Sequence, residues 1–337
     1  MAADVPGAIA LFREVLAESE AARALFLVPA CLHGLGSALA YTGQVSEART
    51  AAHAAIAAET DIGGSMQGIG HSALTTAELA AGEAKAAFRA AETASQQMST
   101  QEILAADQRV RWAEAALATG DLAAARSWTD EAMPLTQGWH LAYALAVRAR
   151  VLLLEGHAAE ADRNSRQALS CIADSGTYLQ APDALECLAA AVSDQGVHGD
   201  AARLLAAAAA IRDRTGLLRF PVYDATYHAL LDKLRKELPS SEFDAAWAEG
   251  EALTIDEAIT FATRGRGSRP RPDKGWPSLT PAELDIVRLV CEGLGNKDIA
   301  ARLFVSPRTV QSHLAHVFTK LDLSSRVQLV QEAARHT

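Results

Sequence analysis

Side chains that could hydrogen-bond to a nucleic acid lie along one side of a predicted helix near the C-terminus. Between Arg308 and Lys320, polar and cationic residues alternate with an apolar stripe spaced i, i+4, i+7 and i+11, which is one face of an α-helix. The stripe consists of Val310, Leu314, Val317 and Leu321. The opposite face consists of Arg308, Thr309, Gln311, Ser312, Ala315, His316, Thr319 and Lys320. Amide, hydroxyl and cationic groups arranged in this way can contact base edges and phosphates.

Short helices are predicted around this segment, within residues 279–337. One helix ends at Gly293, a short one follows Asn296, and a fourth follows the polar-faced helix. The polar-faced helix itself begins at Ser306 and Pro307, an N-cap residue followed by proline at the first helical position. Two short helices joined by a tight turn, the second with a polar face, form a helix-turn-helix, which fits the major groove of DNA.

Residues 279–330 resemble the C-terminal DNA-binding domain of the LuxR/GerE family. The resemblance rests on the opening LTPAE, the stretch EGLGNKDIA, the helix start SPRTVQSHL and the exit KLDLSSR. It implies a four-helix domain that binds double-stranded DNA as a homodimer, with RNA polymerase as a further candidate partner.

The resemblance also assigns roles to individual residues. Gln311, Ser312 and Ala315 occupy the positions where the family reads base edges. Glutamine can pair with adenine through two hydrogen bonds, and an alanine methyl can pack on the thymine methyl. The residues expected to contact the DNA backbone are Lys297, Arg308, Thr309, His313 and Lys320. The residues expected at the dimer interface are Val327, Leu329 and Val330.

Glycines recur at nearly regular intervals in the Ala-rich part of the chain. They are Gly43, Gly82, Gly120, Gly156 and Gly196. An alanine stands five and again twelve residues after each one, and a small residue or threonine stands seven before it. We interpret each glycine as the turn of a helical hairpin, whose small residues let the two helices approach closely. The pattern resembles tetratricopeptide-like repeats, which offer a groove for a protein or peptide ligand.

The fold predicted from these patterns is all-α, with a helical-repeat solenoid followed by a four-helix DNA-binding domain. The repeats span residues 1–216, and a helical cap spans 217–263, where three helices begin near Pro221, Ser240 and Thr254. A basic Pro/Gly linker spans 264–278, and the helix-turn-helix domain spans 279–337. The segment from Ala8 to Leu16, with Ala8, Phe12 and Val15 inward, is either the second helix of an incomplete hairpin or a helix that caps the array.

Charge is unevenly distributed along the chain. The net charge is −10, but residues 264–278 carry five basic residues and one acidic residue, and residues 279–337 carry seven and six. An anionic partner is therefore expected at the C-terminal end. The N-terminus lacks the pattern of a signal peptide and no apolar run is long enough to span a membrane, which predicts a cytoplasmic protein.

Residue sets that would indicate catalysis are absent from the sequence. We find no nucleophile–base pair, no paired carboxylates, no metal-ligand spacing and no GxxxxGK[ST] loop, so we predict no enzyme activity, no metal and no cofactor. The overall layout resembles the C-terminal part of large ATP-binding LuxR-family regulators. The sequence therefore predicts a DNA-binding transcriptional regulator with a repeat region that senses a signal or binds a partner. The alternative is an interaction adaptor in which the repeats carry the main function.

Overall fold

The computed structural model describes residues 4–63, 66–100, 102–264, 275–279, 281–302, 307–323 and 325–333. Within these ranges, side chains are described except at positions 102–104, 277, 281, 282, 285, 301, 307–309, 312, 313, 315, 316 and 327. The described residues form helices and no strand, as the sequence predicts.

Two compact units make up the chain, Met1–Arg264 and Gly265–Thr337. We call them the repeat unit and the C-terminal unit. The α-helices of the repeat unit are α1 (Val5–Ala21), α2 (Val28–Tyr41), α3 (Val45–Asp61), α4 (Ile69–Ala80), α5 (Ala84–Gln97), α6 (Glu102–Thr119), α7 (Leu122–Ala132), α8 (Gly138–Leu154), α9 (Ala158–Ser175), α10 (Ala181–Asp194), α11 (His198–Thr215), α12 (Asp224–Glu237), α13 (Ser240–Glu251) and α14 (Ile255–Thr263). Those of the C-terminal unit are α15 (Pro281–Cys291), α16 (Asn296–Arg302), α17 (Pro307–Leu321) and α18 (Arg326–Ala333).

A glycine in the left-handed conformation follows the first helix of each hairpin. The five predicted turn glycines have φ between +76° and +83°. The residue after each one donates its backbone N–H to the carbonyl five positions earlier, at 2.8 to 3.2 Å; in the first hairpin, Gln44 donates to Leu39. This bond satisfies a carbonyl that the helix end leaves unpaired, and glycine reaches the required φ without steric cost. The predicted turns are confirmed.

Alanine forms the contact surface between the paired helices, which are α2 with α3, α4 with α5, α6 with α7, α8 with α9, and α10 with α11. The alanines five and twelve positions after each glycine have no solvent exposure; they are Ala48, Ala55, Ala87, Ala94, Ala125, Ala132, Ala161, Ala168, Ala201 and Ala208. In the first hairpin, Gly36 also allows close approach, because a Cβ there would lie 3.3 Å from the carbonyl oxygen of Ala48. Larger side chains at these positions would separate the helices.

Helix α1 packs against α2 through a stripe spaced i, i+4, i+7 and i+11. Val5 and Ile9 are buried, and Phe12 and Leu16 pack against the same core while half-buried. Val15, which the sequence analysis placed on the inner face, is half-buried beside this stripe. The buried face is thus rotated slightly from the one predicted.

Residues 217–223, between α11 and α12, run across the first helices of the hairpins; we call them the groove segment. The N–H of Leu218 donates to the carbonyl of Tyr41 at 2.7 Å, and the Phe220 ring stacks on the Tyr41 ring with centroids 5.4 Å apart. Leu217 and Phe220 are both buried in the core that α1 to α6 share. The groove in which the sequence predicts a protein or peptide ligand therefore holds part of the chain itself, and a ligand there would have to displace it.

Three helices follow the groove segment, as predicted. Helix α13 packs on α11, and α14 packs on α9, so these helices cover the last two hairpins. Helix α14 begins with the predicted capping box: the N–H of Thr254 donates to the Glu257 carboxylate at 2.9 Å, and the N–H of Glu257 donates to the Thr254 hydroxyl at 3.3 Å.

The C-terminal unit has a core of branched aliphatic residues contributed by all four helices. Its fully or almost fully buried members include Ile286, Val287, Val290, Ile299, Ala300, Val310, Val317 and Leu329. A turn of 3-10 helix, Trp276–Ser278, precedes α15, and Trp276 packs against this core. Positions 265–274 of the predicted linker lie outside the described residues.

Candidate nucleic-acid interface

The orientation of α17 is set by the apolar stripe that the sequence predicts. Val310 and Val317 have no solvent exposure, Leu314 is buried and Leu321 is half-buried. They pack in one cluster with residues of α15, α16 and α18. The stripe is therefore confirmed as the buried face of α17, and Gln311 on the opposite face is exposed.

Two of the predicted contact residues have exposed side chains on the two helices of the helix-turn-helix. Lys297 lies in the first turn of α16, and Gln311 lies in the N-terminal half of α17. In a helix-turn-helix, the N-terminal residues of the second helix contact base edges. The other predicted contact residues on α17 have helical backbones, and their side chains lie outside the described residues; they are Arg308, Thr309, Ser312, His313 and Ala315.

Lys320, predicted to contact phosphate, is ion-paired within the unit. Its Nζ lies 2.9 and 2.7 Å from the two carboxylate oxygens of Glu283, whose side chain is only 3% exposed. Lys320 itself is half-buried. The pair fixes the C-terminal end of α17 to the first turn of α15, and a phosphate would have to share the ammonium group with a buried carboxylate. The structure thus gives Lys320 a structural partner that sequence spacing does not reveal.

Arg326 is a positioning residue for the helix-turn-helix that the sequence does not reveal. Its guanidinium donates to the carbonyl of Leu294 and to the side chain of Asn296, the latter at 3.1 Å. These bonds link the start of α18 to the loop that begins α16, so they position the first helix of the helix-turn-helix. The motif KLDLSSR contains this arginine, but nothing in its local spacing indicates the partner.

The three predicted interface residues on α18 differ in their surroundings. Leu329 has no solvent exposure and packs in the core of the unit, so its burial here contributes to folding. Val330 is 38% exposed. The side chain of Val327 lies outside the described residues.

A second group of charged side chains is buried in the repeat unit. The arginine cluster, as we call it, consists of Arg150, Arg212, Arg219, Asp183 and Glu186. Arg212 and Arg219 each lie 2.9 Å from the same carboxylate oxygen of Glu186, and Arg212 lies 3.1 Å from Asp183. Although burial raises the pKa of Glu186, the guanidinium groups of Arg212, Arg219 and Arg150 outweigh it and lower this pKa to about 2.

Glu114 lies beside the arginine cluster in a different environment. The hydroxyls of Tyr143 and Tyr223 both donate to its carboxylate, the latter at 3.1 Å. Burial raises the pKa of Glu114, since these hydroxyls and the charge of Arg150 compensate only in part. Tyr223 belongs to the groove segment, and the Arg150 guanidinium lies 3.7 Å from its ring centroid. This segment is therefore held by polar as well as apolar contacts.

Neither a cluster of metal ligands nor a membrane-spanning helix occurs in the described part of the chain. No group of histidine, cysteine and carboxylate side chains there is suited to hold a metal ion. No helix among those residues has both the length and the apolar composition needed to cross a bilayer.

Comparison with known families gives a match in the C-terminal unit. Residues 277–333 match the family described as bacterial regulatory proteins, luxR family. The matched range begins at the 3-10 turn that packs on α17 and includes α15, α16, α17 and α18. The two helices that present Lys297 and Gln311 are thus within a known DNA-binding domain.

Relatives similar to nearly the whole chain exist in mycobacteria. A protein of Mycobacterium tuberculosis (strain ATCC 25618 / H37Rv), named "Putative HTH-type transcriptional regulator", is 48% identical over 334 residues, which are 99% of this chain and 38% of the relative. A protein of the same description from Mycobacterium bovis gives the same identity and coverage. The chain thus spans 38% of the length of these relatives.

A shorter similarity links the C-terminal unit to proteins of staphylococci. The oxygen regulatory protein NreC of Staphylococcus aureus (strain MRSA252) is 47% identical over 83 residues, which are 25% of this chain and 38% of that protein. The C-terminal unit is therefore a LuxR-family helix-turn-helix domain.

Proposed function

We propose that the chain is a transcriptional regulator that binds specific DNA sequences as a homodimer in the cytoplasm. In this proposal α17 enters the major groove, and the repeat unit senses a signal or binds a partner. The observation that carries it is the exposed Gln311 on α17, opposite a buried stripe, within a domain of the LuxR family.

Individual contacts follow from this placement. Gln311, Ser312 and Ala315 read base edges, and Lys297, Arg308, Thr309 and His313 contact phosphates. The exposed face of α18 around Val330 joins two copies. Because residues 279–337 carry only one more basic than acidic residue, one copy gains little from release of counterions, and stable binding depends on two copies acting together.

Selection of random duplex DNA by the purified full chain tests this proposal. We expect enrichment of a motif with dyad symmetry, its half-sites about 34 Å apart or a multiple of that distance, as two recognition helices on one face of the duplex require. Enrichment of a single undivided site would refute the dimer. No enriched sequence, together with tight binding of a protein partner by the repeat unit, would establish the adaptor instead.

A further inference from the structure

A cavity of about 420 Å³ lies inside the repeat unit, between the ends of α6 and α8, helix α10 and the start of α12. An engineered protein cavity of about 150 Å³ binds benzene, and ligand pockets usually have about 300 to 1,000 Å³. The cavity therefore has the size of a site for a small organic molecule, and the DNA-binding function makes no use of it.

Most of the wall is apolar, and its charged and phenolic side chains lie around Arg150 and Arg219, on what we call the polar side. Leucine and valine side chains from four helices and the groove segment form the apolar part; they are Leu117, Leu153, Leu154, Leu205, Val222 and Leu230. The polar side consists of Arg150, Glu186, Tyr223 and Tyr227. An apolar pocket with a few convergent polar groups is the usual form of a small-molecule site.

The polar side favours an anion. Arg150, Arg212 and Arg219 converge on two carboxylates, those of Asp183 and Glu186, which leaves one guanidinium charge in excess. The carboxylate of Asp224 lies 3.8 Å from the Arg219 guanidinium and is about half exposed, so water screens its charge. Burial raises the pKa of the nearby Glu114, and its carboxylate already accepts hydrogen bonds from Tyr143 and Tyr223.

Arg150 is the cationic residue that lines the cavity. Its guanidinium lies over the Tyr223 ring and donates to Asp183 through Nη2. A guanidinium has five N–H donors in a planar arrangement that matches a carboxylate. Arg150 can thus bind Asp183 and an acceptor on a molecule inside the cavity at the same time.

We propose that this cavity binds a small, mainly apolar organic anion, with the anionic group at Arg150 and the apolar body against the leucines. The role of this molecule as the signal for transcription rests on the proposed function. Its binding in the cavity does not depend on that function. Val222, Tyr223 and Tyr227 connect the cavity to the groove segment and α12, so an occupant would stabilise that segment in place.

Calorimetric titration of the full chain with three probes that share one apolar body tests the ligand class. The probes are 1-naphthylacetate, 2-(1-naphthyl)ethanol and 2-(1-naphthyl)ethylamine, which carry an anionic, a neutral and a cationic group. We expect the anion to bind about tenfold or more tightly than the alcohol, and the amine to bind more weakly than both. Equal binding of anion and amine, or binding of none of the three, would overturn the proposal.

Variants that fill the cavity from two different walls test the location. Ala190→Leu from α10 and Ala118→Leu from α6 should each weaken binding of 1-naphthylacetate at least tenfold, because both residues line the cavity. Ala159→Leu, at an exposed position of α9, is the matched control and should bind like the native chain. Circular dichroism and thermal unfolding show which variants are folded, and two folded cavity variants with native affinity would refute the location.

Selection of random duplexes by the same protein distinguishes failure of the cavity proposal from failure of the regulator proposal. If the anion binds and random duplexes give no motif, the cavity is a ligand site and the regulator proposal fails. If duplexes give a motif and no probe binds, the regulator proposal stands and this inference fails.

Discussion

The repeat unit and the C-terminal unit differ in the exposure of the polar groups on which their proposed functions depend. In the repeat unit, Glu186 and Arg212 are almost fully buried and neutralise each other inside the fold. In the C-terminal unit, Lys297 and Gln311 are exposed over a core of branched aliphatic residues. In the repeat unit, these polar groups are therefore already paired with one another. In the C-terminal unit, the side chains proposed to contact DNA are exposed to solvent.

Removing a buried carboxylate should have the largest effect. Glu186→Ala should lower the free energy of unfolding by about 4 kcal/mol, because it leaves the guanidinium groups of Arg212 and Arg219 buried with fewer partners. Urea unfolding followed by circular dichroism measures this free energy of unfolding. The control is Glu47→Ala, whose pair with Arg13 is more than half exposed on both sides and should contribute less than about 1 kcal/mol. Equal losses in the two variants would contradict the comparison.

A substitution at Lys320 tests whether the stability of the C-terminal unit also depends on a buried charge. Lys320→Ala should destabilise this unit by about 3 kcal/mol, because Glu283 then remains buried without its cation. Amide hydrogen exchange in α15 and α17 of the full chain measures the loss. Lys297→Ala, at an exposed position, should leave exchange unchanged and reduce the salt dependence of DNA binding by about one phosphate contact. If Lys320→Ala keeps native exchange and shows that reduced dependence, Lys320 contacts phosphate directly.

The pH dependence of stability tests the comparison further, because acid protonates buried groups of the repeat unit. Burial, with repulsion from Arg111, lowers the pKa of His33 from 6.5 to about 3. The unfolded chain therefore takes up a proton below pH 6.5 that the folded chain does not, and stability is lost as pH falls from 6.5 towards 3. At about pH 5 this loss should be about 2 kcal/mol.

His33→Gln should remove that part of the pH dependence. The measurement is urea unfolding of the native and variant chains at neutral pH and at about pH 5. A variant whose stability falls with pH as steeply as that of the native chain would show that His33 does not carry the effect.

The smallest effect should come from Gln311, the exposed side chain that we propose contacts a base edge. Gln311→Ala should weaken binding to the selected site by about 1 to 2 kcal/mol and relax the preference at one base pair, while stability stays unchanged. Fluorescence anisotropy on the selected site and its single-base variants measures both. Gln96→Ala, at an exposed glutamine on α5, is the control. A uniform loss on all duplexes would assign Gln311 to the DNA backbone.

Local signals in the sequence predict much of this structure. The turn glycines, the alanines at the contacts between paired helices, the Thr254 capping box and the stripe on α17 all depend on residues within a few turns of one another. Each therefore leaves a spacing that can be recognised without knowledge of the fold. The placement of Gln311 opposite that stripe follows from the same reasoning.

Contacts between distant residues explain what the sequence does not reveal. Lys320 and Glu283 form a pair across the C-terminal unit, and Arg219 reaches Glu186 from the groove segment. No periodicity links such residues, because their proximity depends on how whole helices pack. The motif at Phe220 and Pro221 predicts that a helix begins there, but not that the chain crosses back to Tyr41.

The groove segment changes how the repeat unit is expected to fold. Arrays in which each repeat contacts only its neighbours can unfold one repeat at a time. Here the segment after α11 completes the core around α2, so the two ends of the array depend on each other. We therefore expect a single cooperative transition and slow folding, since residues far apart in the chain must meet first. During synthesis on the ribosome, the first hairpins complete their packing only after Phe220 has left the exit tunnel.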